Sequence, residues 1–207
     1  MLNKTRMHIL HLSDTHNSHR QLSNLPAADI IIHSGDISFS GTGEEVMDFI
    51  EWFKTLNYEF KIFVAGNHDF ALDGKAPERI QRFLPENCYY LCNSGVTING
   101  INFWGIPLFF SADANGDYLQ QINSIPNNTD ILISHRPPFG ILDNSDNVSY
   151  GCRDLLQKVT ETLPQYHLFG HIHDACGIEK HGQTVFVNAA VLDAEYRLLN
   201  KPILFEI

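Results

Sequence analysis

Apolar positions along the chain follow two periods, and the switches between them lay out the secondary structure. Residues 7–12, 29–33, 60–65, 130–134 and 166–169 are short, nearly continuous apolar runs. Ile30-Ile31-Ile32 is the extreme case, because a β-branched run without polar alternation predicts a strand buried on both faces. Between Thr42 and Leu56 the period lengthens. Val46, Phe49, Ile50 and Phe53 stand at i, i+3, i+4 and i+7, which predicts a helix with one apolar face. Thr42 and Glu45 have capping-box spacing at its start. Cys152, Leu155, Leu156 and Val159 predict a second helix ending before Pro164, and a short one is expected over 118–123. The middle reads as antiparallel: 87–92, 96–99 and 101–106 are short strands, and Asn99-Gly100 signals a type I′ hairpin. Runs at 177–180, 184–187 and 203–207 complete a second strand-rich half, with a turn at His181-Gly182. The polar stretch 141–150, rich in Asn and Asp, is expected to be a mobile loop.

The first third therefore reads β-α-β-α-β, an α/β pattern, and the length of 207 residues suits one domain over 1–207. The polar blocks that follow the apolar runs carry the chemistry. They are Asp14-Thr15-His16, Gly35-Asp36, Gly66-Asn67-His68-Asp69, Ser134-His135 and Gly170-His171-Ile172-His173. Sites of open α/β sheets gather at the carboxyl ends of strands, where these blocks fall. Any one Asp or His here would read as an ordinary turn or surface residue. Together they supply carboxylates, imidazoles and one amide, a ligand set for two divalent metals.

Two neighbouring cations need a shared anionic ligand, and Asp36 is the expected bridge. Asp14 and His16, on alternate positions, can point the same way and serve one metal. Asn67 and His135 would serve the other, and His171 and His173 could serve one each. Two divalent ions set against two aspartates and a bridging hydroxide leave a net charge of roughly +1, suited to a phosphate. Bound water with its pKa lowered toward about 7 would provide hydroxide for in-line attack on phosphorus. His68 is left over as a proton donor to the leaving oxygen, and Asp69 could orient it.

The formal charge of −10, from 14 basic and 24 acidic residues, argues against binding a nucleic-acid duplex. Cys88, Cys92, Cys152 and Cys176 have neither CxxC nor zinc-finger spacing and read as free thiols in a reducing compartment. The first residues show no signal-peptide core, and no apolar run is long enough to span a bilayer. A cytoplasmic protein without membrane association is expected. His8, His11, His19, His33, His167 and His181 lack matching partners and read as structural or solvated.

The order Asp-x-His, Gly-Asp, Gly-Asn-His-Asp, His, Gly-His-x-His resembles the calcineurin-like metallophosphoesterases. The segments 9–16, 31–36, 61–69, 130–143, 151–152, 169–173 and 187–189 are most similar to the small metallophosphoesterase-domain-containing subgroup. The resemblance implies a four-layer αββα sandwich, two mixed β-sheets flanked by helices. It implies Asp14, His16, Asp36 and His173 at one metal, and Asp36, Asn67, His135 and His171 at the other. His68 would be the catalytic acid, with Asp69 beside it, and Asn67 and His68 would contact substrate. Arg136 departs from the subgroup, which has a small residue there; it is a candidate substrate contact, with a surface salt bridge as the alternative. Two divalent ions are expected, manganese first, with iron, zinc or cobalt as alternatives. The implied activity is hydrolysis of a small phosphate ester or nucleotide, as a phosphodiesterase acting on a cyclic nucleotide or similar diester. A phosphomonoesterase or protein phosphatase is the alternative, and a non-catalytic scaffold of the same fold a more distant one.

Overall fold

The computed structural model describes residues 6–207, so the reading of the first five residues lies outside it. Strand β1 (His8–Leu12) leads through a 3-10 turn to β2 (Ile30–His33). Then come α1 (Gly43–Thr55), β3 (Phe60–Phe63), α2 (Pro77–Gln81), β4 (Cys88–Tyr90), β5 (Ser94–Ile98) and β6 (Ile101–Ile106). Next are α3 (Phe110–Asn115), α4 (Asp117–Asn123), β7 (Ile131–Ser134), β8 (Asn144–Ser145), β9 (Val148–Ser149) and α5 (Arg153–Thr162). The chain closes with β10 (Tyr166–Phe169), β11 (Gly177–His181), β12 (Thr184–Asn188) and β13 (Ile203–Glu206). One sheet has the order β13-β1-β2-β3-β4 and is parallel except for β13. The other runs β11-β12-β10-β7-β6-β5, parallel in the centre and antiparallel at both edges.

Strand parity sorts the apolar side chains into three layers of core. Ile9, Ile30, Ile32, Ile62, Ile131, Ile133, Leu168 and Val187 meet between the sheets. Their strand neighbours Leu10, Ile31 and Phe63 point the other way, onto Val46, Phe49, Ile50 and Phe53 of α1. On the far side Leu132, Phe169 and Phe186 pack against Tyr118 and Ile122 of α4 and Leu155 and Val159 of α5. The result is the αββα sandwich. The triple isoleucine is continuous because β2 is covered on both faces. Helix α1 begins at the expected capping box, with Glu45 N–H donating to Thr42 Oγ1 (3.2 Å) and Glu45 Oε2 accepting from Thr42 N–H (3.2 Å).

Four local expectations change. Strand β4 does not join the antiparallel middle but pairs parallel with β3 at the edge of the first sheet, leaving β5–β6 as the antiparallel hairpin. The β1–β2 crossover holds only the 3-10 turn Ser18–Gln21, because its first residues form a site loop and Pro26 follows closely. Helices α2 and α3 are too short to show a helical period. The 141–150 stretch folds into the β8–β9 hairpin and is tied down. Asp143 Oδ2 accepts the N–H groups of Gly140 and Gly151, and Ser145 Oγ donates to Asp174 Oδ2.

Candidate metal centre

The loops after β1, β2, β3, β7 and β10 converge at one end of the sandwich. The two sheets are stitched there, with Ser13 N–H donating to Ala189 O (2.9 Å) and Val191 N–H to Ser13 O (3.0 Å). The β1 and β2 loops continue side by side: Asp14 N–H donates to Gly35 O and His16 N–H to Asp36 O. Asp14 (φ 56°), His16 (38°), Asp36 (55°) and His171 (69°) all occupy the left-handed region. Such backbone costs roughly 1–3 kcal/mol per residue and persists only where its surroundings over-determine it.

Close approach explains the glycines of the motifs, and at Gly35 a φ of 108° requires glycine as well. A Cβ on Gly66 would fall on Asp36 Oδ1, and one on Gly170 on Asp14 Oδ2 and Ser13 Oγ. A Cβ on Gly35 would stand 2.6 Å from His135 Nδ1. Each glycine leaves room for a functional side chain of another loop.

Backbone carbonyls hold three imidazoles in one tautomer. His16 Nδ1 donates to Ser38 O (3.1 Å), His135 Nδ1 to Ser34 O (2.9 Å) and His173 Nδ1 to Asp193 O (3.0 Å). The Nε2 atoms are thereby aimed inward. His16 Nε2 lies 3.5 Å and His135 Nε2 3.3 Å from Asp36 Oδ2, and His173 Nε2 lies 3.4 Å from Asp14 Oδ1. His16 Nε2 is buried and makes no hydrogen bond. Asn67 Oδ1 is 3.1 Å from His135 Nε2. Asp14, His16 and His173 form one group of converging donor atoms, and Asp36, His135 and His171 another. Asp36 also groups with His16 and His68, which places it between the two sides.

The electrostatics are those of a site built for positive charge. Burial pushes the Asp14 and Asp36 carboxyls up, but the surrounding imidazoles outweigh it and hold both below the ordinary carboxylate range. Burial pulls His135 down, yet Asp36 and Asp14 raise it to about 9. His173 is likewise raised by Asp14 against its burial. His16 is lowered by burial, and His171 falls to about 4 through burial and the nearby His135. A divalent cation at these Nε2 atoms would replace the protons that the carboxylates otherwise draw in.

All seven expected ligands thus meet at one place, with His68 beside them. The His68 ring stands edge-on to His16 at 4.7 Å, and its Nδ1 donates to Phe39 O (2.8 Å). Two expectations need correction. Asp69 does not touch the His68 imidazole; its buried carboxylate accepts from Gly66 N, Ser38 N, Ser38 Oγ and Ile37 N and ties the β2 loop to the β3 loop. Arg136 is not free for substrate, since Asp113 takes its guanidinium in a two-pronged ion pair (2.9 and 3.1 Å) over the Tyr118 ring. His33, read as a packing residue, supports the site. Its Nδ1 accepts Gly35 N–H (3.2 Å) and its Nε2 bonds Thr15 Oγ1 (3.0 Å), so one ring braces two ligand loops. Its place one residue before Ser34-Gly35-Asp36, on the strand that presents the bridge, was the available signal. Asp193, whose carbonyl orients His173, had none.

Clustered carboxylates and oriented imidazoles at the strand ends of a double-sheet sandwich define a metal-dependent hydrolase. Residues 7–175 match the family model Calcineurin-like phosphoesterase, and the chain belongs to that family. It is therefore a metal-dependent phosphoric ester hydrolase, of a family that generally uses a binuclear divalent-metal centre. The human Metallophosphoesterase domain-containing protein 1 is 34% identical over 227 residues, covering 95% of this chain and 69% of its own. A 3′,5′-cyclic-nucleotide phosphodiesterase of Nostoc is 26% identical over 170 residues, covering 75% of this chain and 60% of its own. Among solved structures, GAP50, the anchor in the inner membrane complex of Plasmodium, shares the fold with a TM-score of 0.54 at 12% identity, covering 90% of this chain and 72% of its own. No helix among the described residues is long and apolar enough to cross a membrane.

Proposed function

We propose that this enzyme is a phosphodiesterase for small diesters, working as a single domain with two divalent ions. Asp14, His16, Asp36 and His173 would hold one ion, and Asp36, Asn67, His135 and His171 the other. The carrying observation is the set of three Nδ1–H groups spent on backbone carbonyls, which leaves Nε2 lone pairs converging on Asp14 and Asp36. The buried Nε2 of His16 makes no hydrogen bond and faces Asp36 Oδ2 at 3.5 Å, so its lone pair is open to a cation shared with that carboxylate. Mixed nitrogen and oxygen donors suit manganese, and also iron, zinc or cobalt. Such ions, when bound, acidify coordinated water and neutralise the phosphoryl oxygens.

His68 is half-buried at the edge of the group, with Nδ1–H fixed on Phe39 O and Nε2 left to carry a proton to the leaving oxygen. The diester reading rests on two supports. The Nostoc relative is named for a cyclic diester. Arg136, the cation that would answer the second charge of a monoester, is already paired with Asp113. Free cysteines agree with a reducing, cytoplasmic setting.

The test is chelated protein reconstituted with Mn²⁺ and assayed on bis(4-nitrophenyl) phosphate and 4-nitrophenyl phosphate. The diester should turn over faster, and elemental analysis should return two ions per chain. Asp36→Asn should lose ions and activity together. His68→Ala should keep the ions and lower kcat by about 10²–10⁴-fold. Undiminished turnover in both variants, or a preference for the monoester, would defeat the proposal.

A further inference from the structure

Beside the imidazoles of His171 and His173 lies an open cavity of about 310 Å³, walled by Tyr150 and Tyr196, with Ser145 and Asp174 at its polar edge. Both tyrosines are exposed, at 51% and 45%. Tyr196 stands there against its backbone preference: its φ is 59°, a region that bulky side chains avoid. A five-residue turn enforces it. Asp193 N–H donates to Arg197 O (3.0 Å), Tyr196 N–H to Asp193 O (2.9 Å), and Arg197 N–H to Asp193 Oδ1 (2.8 Å). Arg197 Nε then clasps Asp193 Oδ2 (2.7 Å). The carbonyl of Asp193 that takes Tyr196 N–H also takes His173 Nδ1–H, so one atom positions the imidazole and the tyrosine together. The Tyr196 ring meets His16 and His173 edge-on at 5.1 and 5.2 Å, while Phe39 packs against it at 5.6 Å.

The turn seats one edge of the Tyr196 ring on His16, His173 and Phe39 and leaves the rest of the ring open to the cavity, where a ligand can cover it. The geometry points to Tyr196 and Tyr150 as specificity-determining residues that hold a flat ring on the diester's spectator group, the one retained on the phosphate. This deepens the phosphodiesterase reading and rests on it. A phosphate set between the imidazoles of His171 and His173 would direct one ester group into the cavity. Aromatic faces favour a planar ring there over an alkyl chain. Asp174 has one carboxylate oxygen occupied by Ser145 Oγ–H, so its other oxygen suits a ring N–H and repels a second anionic group. Tyr150, which follows the pinned β8–β9 hairpin directly, lines the same cavity and is fixed by its N–H on Asp143 O (2.9 Å).

Bis(4-nitrophenyl) phosphate and ethyl 4-nitrophenyl phosphate share a leaving group and differ in the spectator group, so their KM ratio isolates the ring. Tyr196→Leu and Tyr150→Leu should each shift that ratio against the aryl diester by about tenfold. Tyr196→Phe should restore the wild-type ratio. Calorimetric titration of the Mn²⁺-loaded protein with phenylphosphonate and methylphosphonate should show the same selective loss without turnover. A ratio unmoved in both leucine variants, or equal losses on both esters and both phosphonates, would overturn the inference. If the wild-type enzyme cleaves neither diester, the phosphodiesterase reading falls and this inference falls with it. If it cleaves both and the ratio stays fixed, only the ring site falls.

Discussion

Mild acid should unfold the metal-free protein well above the pH at which its carboxylates protonate. His11, His33 and His167 are fully buried, and burial lowers each imidazole to about 3. None has an acceptor facing its second ring nitrogen. His33 uses Nδ1 as an acceptor from Gly35 N–H, and the Nδ1 atoms of His11 and His167 have no partner at all. An unfolded imidazole titrates near 6.5, so between pH 6.5 and 3 the unfolded chain binds more protons and stability falls as pH falls. At pH 5 each histidine costs about 2 kcal/mol relative to pH 7, or about 6 kcal/mol for the three. That is comparable to the whole stability of a typical domain, about 5–15 kcal/mol. The other shifted groups of the site act in different windows, add to this one or, in the case of Asp69, oppose it: burial and the nearby Asp36 raise its carboxyl to about 6, so the folded state takes up a proton there and regains about 1 kcal/mol between pH 7 and 5. His135, raised to about 9, is protonated in both states at pH 5; its contribution is full below the unfolded value and fades toward pH 9. Asp14 and Asp36, held low, lose their contribution only below about pH 4. His171, at about 4 in the absence of metal, steepens the decline. Urea unfolding of EDTA-treated protein from pH 7 to 5 should show the midpoint falling steeply, with about three protons taken up per chain near pH 5. His167→Gln, which keeps a donor for Ser134 Oγ, should remove about one of them. A midpoint flat across this range would refute the reasoning.

Other perturbations test single structural claims. Gly170→Ala should cut bound metal to well under half while far-UV circular dichroism stays native, because the new Cβ lands on Asp14; a full metal complement would contradict the close-approach argument. Asp69→Ala strands the donors from Gly66, Ser38 and Ile37 and should cost about 3–5 kcal/mol in urea unfolding. Arg136→Ala should change the KM of a small diester by less than about threefold, since the guanidinium serves Asp113; a tenfold rise would return it to the substrate. Leu168→Ala, emptying the layer between the sheets, should cost about 2–5 kcal/mol by thermal or urea unfolding.

The residues that converge at the candidate centre were legible because metal chemistry accepts few residue types, and strand ends are where a parallel sheet presents them. The doubly buried strands and the α1 capping box were legible because period and capping are local properties. The role of Asp69 was misread for the same locality: adjacency to His68 in the chain suggested contact, while the backbone turns its carboxylate toward Gly66 and Ser38 instead. The salt-bridge partner of Arg136 was not legible, because Asp113 lies on α3, which is too short to announce itself.

Sequence alone determined the class of this protein, its core-forming segments and the identity of the side chains that meet. Tertiary structure alone decided how they meet: the left-handed backbone at Asp14, His16, Asp36 and His171, the glycines that make room, and the carbonyls that select each tautomer. The physical reason is distance along the chain. Periods of two and 3.6 residues are written within a few positions, whereas His135 Nδ1 meets Ser34 O across 101 residues and His171 N–H meets Asp14 across 157. Such contacts exist only once both sheets have closed on each other.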